Sequence, residues 1–265
     1  MEITVRRVYI LVKAYPQPSQ QYEETVCCAG VTDTGEFLRL YPIPYRRLKS
    51  EQRFDRYDRV EMKIWKSKSD PRPESYKVDP DSIRIVQKGT KLKPAQKVRL
   101  WLPFVTDSLT ALKEENRTSE RSLGIIKPDT GSVRFKSSPF SHGSEEDRSL
   151  AMGARQQASL FHDTPLKELK VDYVFGYKFT SAGVPHDMKI HDWEVQAAYH
   201  NFRRKYGSDT LDVMAKEYGE NIPAKNLHLI MGTMKGHPRQ FIIIGLLRSE
   251  QNVEVLRSQA TLLGF

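Results

Sequence analysis

Two short clusters carry residue types that could do chemistry. The first is His186-Asp187 followed by His191-Asp192-Trp193-Glu194. Imidazoles and carboxylates are metal ligands, and a histidine beside an acid is general acid–base equipment. The spacing matches no standard zinc motif, and no cysteine lies nearby to complete one. The same residues also suit a helix start, with Asp192 as N-cap, Glu194 in the first turn and Trp193 anchoring the helix to the core. The second cluster is Glu61-Met62-Lys63, preceded by Asp55 and Asp58. Restriction-type nucleases place an acid on one strand and Glu-x-Lys on the next, to hold Mg²⁺ and orient water. Glu61 and Lys63 fit the second half of that pattern, but Asp58 falls on the same strand as Glu61. His186, His191, Asp192, Glu194, Glu61 and Lys63 are therefore the catalytic candidates. Mg²⁺ enters only under a nuclease reading; otherwise no cofactor and no metal site is expected.

A third constellation mixes cations with aromatics. Arg39, Tyr45, Arg46, Arg47, Trp65, Arg72, Tyr76 and Lys77 lie within forty residues. Single-stranded nucleic acid is held by cations on phosphates and by bases stacked on aromatic faces. The competing reading places about half of these aromatics in a core. Around Gly232-Thr233-Met234-Lys235-Gly236, a hairpin turn is expected, because a phosphate loop needs Gly-Lys-Ser/Thr opening a helix. No Gly-x-Ser-x-Gly elbow, kinase set or dinucleotide fingerprint occurs.

The elements that must position these residues follow from periodicity. Val5–Ala14, Thr25–Val31, Glu36–Tyr41, Tyr57–Lys66 and Ser82–Gln87 read as short strands, with Thr32-Asp33-Thr34-Gly35 as a hairpin turn. Along Tyr57–Lys66, Val60, Met62 and Ile64 share one side, and Arg59, Glu61 and Lys63 the other. Tyr15–Glu24 and Asp70–Ser75 read as loops. Pro94–Phe104 and Ser108–Asn116 are candidate helices, Ser108 being a fitting N-cap. Ser122–Ile126, Ser132–Lys136 and Tyr173–Thr180 are strands, and Ser137–Asp147 is a polar loop. Gln156–Phe161 carries too weak a pattern to assign. Val195, Ala198, Tyr199, Phe202 and Tyr206 mark a helix over 192–206 that ends at Gly207. Leu211, Met214, Ala215 and Tyr218 mark a second over 209–218, ended by Gly219. Leu227–Gly232 and Phe241–Arg248 close the described pattern as strands.

Together these elements predict an α+β protein. A small, mostly antiparallel, OB-like β-barrel fills residues 1–105. Residues 106–265 combine strands with a helical hairpin, and a second barrel is one arrangement they could take. At 265 residues, with 38% hydrophobic and 28% charged residues, the chain suits a globular protein rather than a coiled coil or a disordered one. No apolar run approaches the roughly 20 residues of a membrane span. No signal-peptide pattern opens the chain, so a cytoplasmic location and no membrane partner are expected. Cys27 and Cys28 are adjacent and form no disulfide framework; on a strand they would point to opposite faces.

The net charge of +9 is unevenly spread: residues 1–100 hold 21 Lys/Arg against 13 Asp/Glu, and the remainder 21 against 20. From Arg84 to Arg99 there are six basic residues and no acidic one. A field concentrated in this way favours a polyanion.

The segment Cys27-Cys28-Ala29-Gly30, continued by Gly35-Glu36-Phe37-Leu38-Arg39-Leu40-Tyr41-Pro42, resembles a bacterial family of dual OB-fold proteins. Asp70–Tyr76, Ser122–Pro128, Asp192-Trp193-Glu194 and Gly232 with Phe241–Gly245 extend the resemblance over most of the chain. It implies barrel architecture and, by analogy, nucleic-acid binding, but no established activity. The expected function is thus sequence-tolerant nucleic-acid binding, single strands favoured. A metal-dependent nuclease or nucleotide-processing enzyme, and a protein-interaction adaptor in a larger complex, are the alternatives.

Overall fold

The computed structural model describes residues 2–19, 22–140, 166, 171–234, 236–250 and 253. Its N-terminal strands are β1 (Thr4–Lys13), β2 (Gln17–Ser19), β3 (Glu23–Thr32), β4 (Phe37–Ile43), β5 (Arg59–Trp65), β6 (Ser75–Val78) and β7 (Arg84–Gln87). Five of them close a barrel in the order β1-β3-β4-β6-β5, with β5 returning to β1. All neighbours are antiparallel except β4 and β6. Alternation drives this closure. Val8, Ile10, Val26, Cys28, Leu38, Leu40, Val60, Met62 and Ile64 point inward and form one core with Phe54, Val78 and Ile83. Gly35 makes the β3–β4 turn at φ +78°, a conformation that a side chain disfavours.

The rest of the chain is helices and two open sheets. The helices are α1 (Pro94–Trp101), α2 (Leu109–Ser119), α3 (Trp193–Tyr206) and α4 (Thr210–Lys216). The strands are β8 (Val105–Thr106), β9 (Leu123–Ile126), β10 (Arg134–Pro139), β11 (Tyr173–Ser181), β12 (Val184–Lys189), β13 (His228–Met234) and β14 (His237–Leu247). β10, β11 and β12 form one antiparallel sheet; β14, β13, β9 and β8 form a mixed sheet in which β8 and β9 are parallel. The architecture is therefore α+β with an N-terminal barrel. Among the described residues, no helix is long and apolar enough to cross a membrane.

Part of the outward faces of β1, β3 and β4 is covered. Leu11, Ala29, Val31 and Phe37 pack with Val98, Trp101 and Leu102 of the α1 region, and with Leu123, Ile125, Ile230 and Ile244 of the four-stranded sheet. One core is thus shared between residues before and after position 105. A third core holds α2, α3, α4 and the inner side of the three-stranded sheet, with the Tyr177 hydroxyl donating to the Tyr218 carbonyl at 2.8 Å.

Several sequence expectations need correction. The Tyr15–Glu24 loop contains β2. The Asp70–Ser75 loop runs into β6, which pairs through two residues on each side and is too short to alternate. Ser137–Pro139 continue β10 rather than starting a loop, while 141–147 and Gln156–Phe161 lie outside the described residues. β12 went unseen because most of its side chains face solvent. Tyr206 is 38% exposed and Ala215 is exposed, so neither belongs to its helix's buried stripe. The second helix is not ended by Gly219: a π-helical turn carries it through Glu217–Asn221.

Trp101 is fully buried in the shared core. Trp101→Ala is expected to cost about 3–5 kcal/mol, read by denaturant unfolding. Because that core joins both parts of the chain, fluorescence and far-ultraviolet circular dichroism should shift together. Unfolding of the barrel alone would contradict the shared core.

Candidate nucleic-acid interface

Which basic and aromatic side chains can meet a ligand depends on how each is already engaged. Arg39 sits on β4, on the barrel side that the rest of the chain covers. It is 4% exposed, and its guanidinium donates to the Ser122 carbonyl at 3.0 Å and lies 3.7 Å from the Cys27 sulfur. It is no surface phosphate contact. Cys28 points the other way, into the barrel core, where burial pushes its thiol pKa up. The neighbouring cysteines therefore do face opposite sides of β3.

Arg46 pairs with Glu24 at 2.8 Å and Arg47 with the buried Glu23. Arg72 is held by the Asp70 carboxylate at 2.7 Å and donates to the Thr233 carbonyl at 2.8 Å. Tyr45 is set edge-on against Phe54 and Trp193, with the Lys13 ammonium 4.4 Å from its ring centre. These four, expected to contact a ligand, instead tie the barrel to itself and to the C-terminal region. Their acid partners stand far away in sequence or in a reading assigned to loop, so charge counting could not reveal them.

The remaining candidates converge on another surface. Since Val60, Met62 and Ile64 point inward, Arg59, Glu61, Lys63 and Trp65 line the outside of β5. The register aligns Tyr9 with Arg59, Arg7 with Glu61, and Val5 with Lys63 on one flank. On the other flank Arg84 opposes Glu61 and Lys77 opposes Trp65. Arg7 and Arg84 both bind Glu61, and Arg59 binds Asp33. Lys63 and Lys77 are exposed and have no acidic partner among the described residues. The half-buried Trp65 lies on the same outer side, opposite Lys77 and two residues along from Lys63. Ile3 and Val5 remain 55% and 60% exposed beside them. At the adjoining rim, the Lys66 ammonium stands 4.1 Å over the Tyr76 ring. Sequence reasoning named Trp65, Tyr76 and Lys77 for this purpose and Lys63 for another. It missed Ile3, Val5, Arg7 and Arg84, since only the β1–β5 register brings them together.

The catalytic candidates are dispersed. Glu61 is clamped by two guanidiniums. Asp192 is 1% exposed and caps α3 by accepting from the Glu194 backbone N–H at 2.9 Å. It also accepts from the Leu246 backbone N–H at 3.1 Å and pairs with Arg56 at 3.0 Å. Glu194 takes the same guanidinium at 2.9 Å. Trp193 anchors the helix against the barrel as its place in the sequence suggested. His191 is half-buried, and its backbone bridges Tyr15, just after β1, to Ile243 of β14. His186 lies apart, on β12 against the Phe179 ring. Among the described residues, no group of three or more His, Cys, Asp or Glu is arranged to hold a metal.

Two outcomes follow. Asp192→Ala leaves Arg56 desolvated without its buried partner and should destabilise the fold by about 3–5 kcal/mol. Differential denaturant unfolding of wild type and variant measures this, and a change below about 1 kcal/mol would contradict the pairing. Hydrogen bonds first from Arg7 and then from Arg84 hold the Glu61 carboxyl below the usual range. The stability from this clamp is present above the ordinary glutamate pKa and is lost as pH falls through the lowered one. NMR titration should show Glu61 below its unfolded value, and Arg84→Ala should raise it.

Residues 4–102, the barrel with α1, match a domain of unknown function, DUF8758. No curated protein matches the chain. Residues 105–262, more than half of the sequence, match a second domain of unknown function, DUF8757, and the protein belongs to that family.

Proposed function

We propose that the protein binds single-stranded nucleic acid with little sequence preference, through the outer face of β5 and its flanks on β1 and β6. The observation that carries this reading is the grouping of Lys63 and Lys77, unpaired among the described residues, with Trp65 on one exposed side of the barrel. Ammonium groups would take phosphates, and the indole would offer a stacking surface. OB barrels commonly bind oligonucleotides on their second and third strands. Here the corresponding β3–β4 side is buried under α1 and the four-stranded sheet, which leaves the β5 side for a ligand. The resemblance to dual OB-fold proteins supports the same class of partner.

Fluorescence anisotropy of labelled oligo(dT) against duplex DNA, over a salt series, tests the proposal. The double variant Lys63→Glu/Lys77→Glu should bind about tenfold more weakly and reduce the magnitude of the log–log salt slope by about 1.4, two contacts at roughly 0.7 each. Trp65→Ala should cost about 1–3 kcal/mol of binding. Unchanged affinity and slope in the charge-reversed protein would refute the assignment.

A further inference from the structure

The outer side of the three-stranded sheet carries a second concentration of positive charge. Tyr173, Phe175, Tyr177 and Phe179 of β11 face the core, so Val174, Gly176, Lys178 and Thr180 face outward. The register sets Arg134 beside Lys178, and Lys178 beside Asp187. One step along, Lys136, Gly176 and Lys189 form the next row. Alternate residues on a strand are spaced by about 7 Å, and neighbouring strands by about 5 Å. The side therefore shows four cations in two rows with one acid, Asp187, which pairs with Lys136. Lys178 and Lys189 are exposed and without an acidic partner among the described residues. Gly176 keeps the centre low: a Cβ there would stand 2.7 Å from the Lys136 Cε.

We propose that this β10–β12 side is a second binding face for a nucleic-acid strand, with phosphates on Lys178, Lys189 and Arg134. The class of partner rests on the proposed function; the location does not. The near-neutral charge balance of residues 101–265 concealed the site. Many of the offsetting acids, including Glu114, Glu115, Glu120, Asp209, Asp212 and Glu220, stand on or beside α2 and α4 or the π-helical turn that follows.

The test uses the full-length protein and oligo(dT) of about 30 nucleotides, longer than one site of roughly 4–16. Anisotropy over a salt series compares wild type, the barrel variant Lys63→Glu/Lys77→Glu, the sheet variant Lys178→Glu/Lys189→Glu, and its milder form Lys178→Gln/Lys189→Gln. Circular dichroism checks that each is folded. The sheet variant should lose about tenfold in affinity and about 1.4 in slope magnitude, with the Gln form intermediate. If only the barrel variant weakens binding, the second face is refuted and the barrel reading survives. If only the sheet variants weaken it, the second face stands and the barrel reading fails. Binding unaffected by either pair, or no binding by wild type, overturns both.

Discussion

The buried ion pair between Arg56 and Asp192 organises much of the molecule. Removing two charges from water costs several kcal/mol per ion unless hydrogen bonds satisfy them. Here one carboxylate starts α3, accepts from β14 at Leu246 and holds the guanidinium. Arg56 also donates to the Leu246 carbonyl. Two residues further on, the buried Asp58 accepts from the Asp55 and Gly89 backbone N–H groups and binds Lys88. The approach to β5 is therefore fixed from both sides. The outward direction of Lys63 and Trp65 depends on that fixation as much as on alternation within the strand.

Strong periodicity and local capping were legible in the sequence. β5 could be read from Val60, Met62 and Ile64, and α3 from Val195 and Tyr199, because each pattern reports burial of one face. Ser108 and Asp192 were legible as caps because an N-cap acts within three residues. β6 and β12 were not, one being too short to alternate and the other mostly solvated. Register was also beyond reach, since it depends on which distant strand lies alongside. That is why Ile3, Val5 and Arg7 joined the barrel surface only in three dimensions. The same limit hid the role of Arg39, whose partner Ser122 lies 83 residues away.

The candidate interface also shows how little a charge total says about available charge. Arg46, Arg47, Arg56 and Arg72 add to the basic balance of the first hundred residues, yet each is committed to a carboxylate of the fold. A lysine on a long, hydrated stem and an arginine in a planar fork differ in this respect. The fork matches a carboxylate with two bonds and suits internal pairing. The cations left exposed without acids on the two sheet surfaces are largely lysines. In the C-terminal region the sorting runs by element, with acids on the helices and cations on the outer side of β10–β12.

The two family matches are separated only by residues 103 and 104, while the shared core crosses that joint from both sides. Linkers between independent modules act as tethers, and each module then samples orientations within their reach. A two-residue connection fused to a common apolar layer leaves no such slack. The apolar layer packs the barrel directly on the four-stranded sheet, and that sheet shares the next core with β11, so the interval between the β5 surface and the β10–β12 surface is set by packing rather than by a tether. Any molecule touching both must conform to that interval.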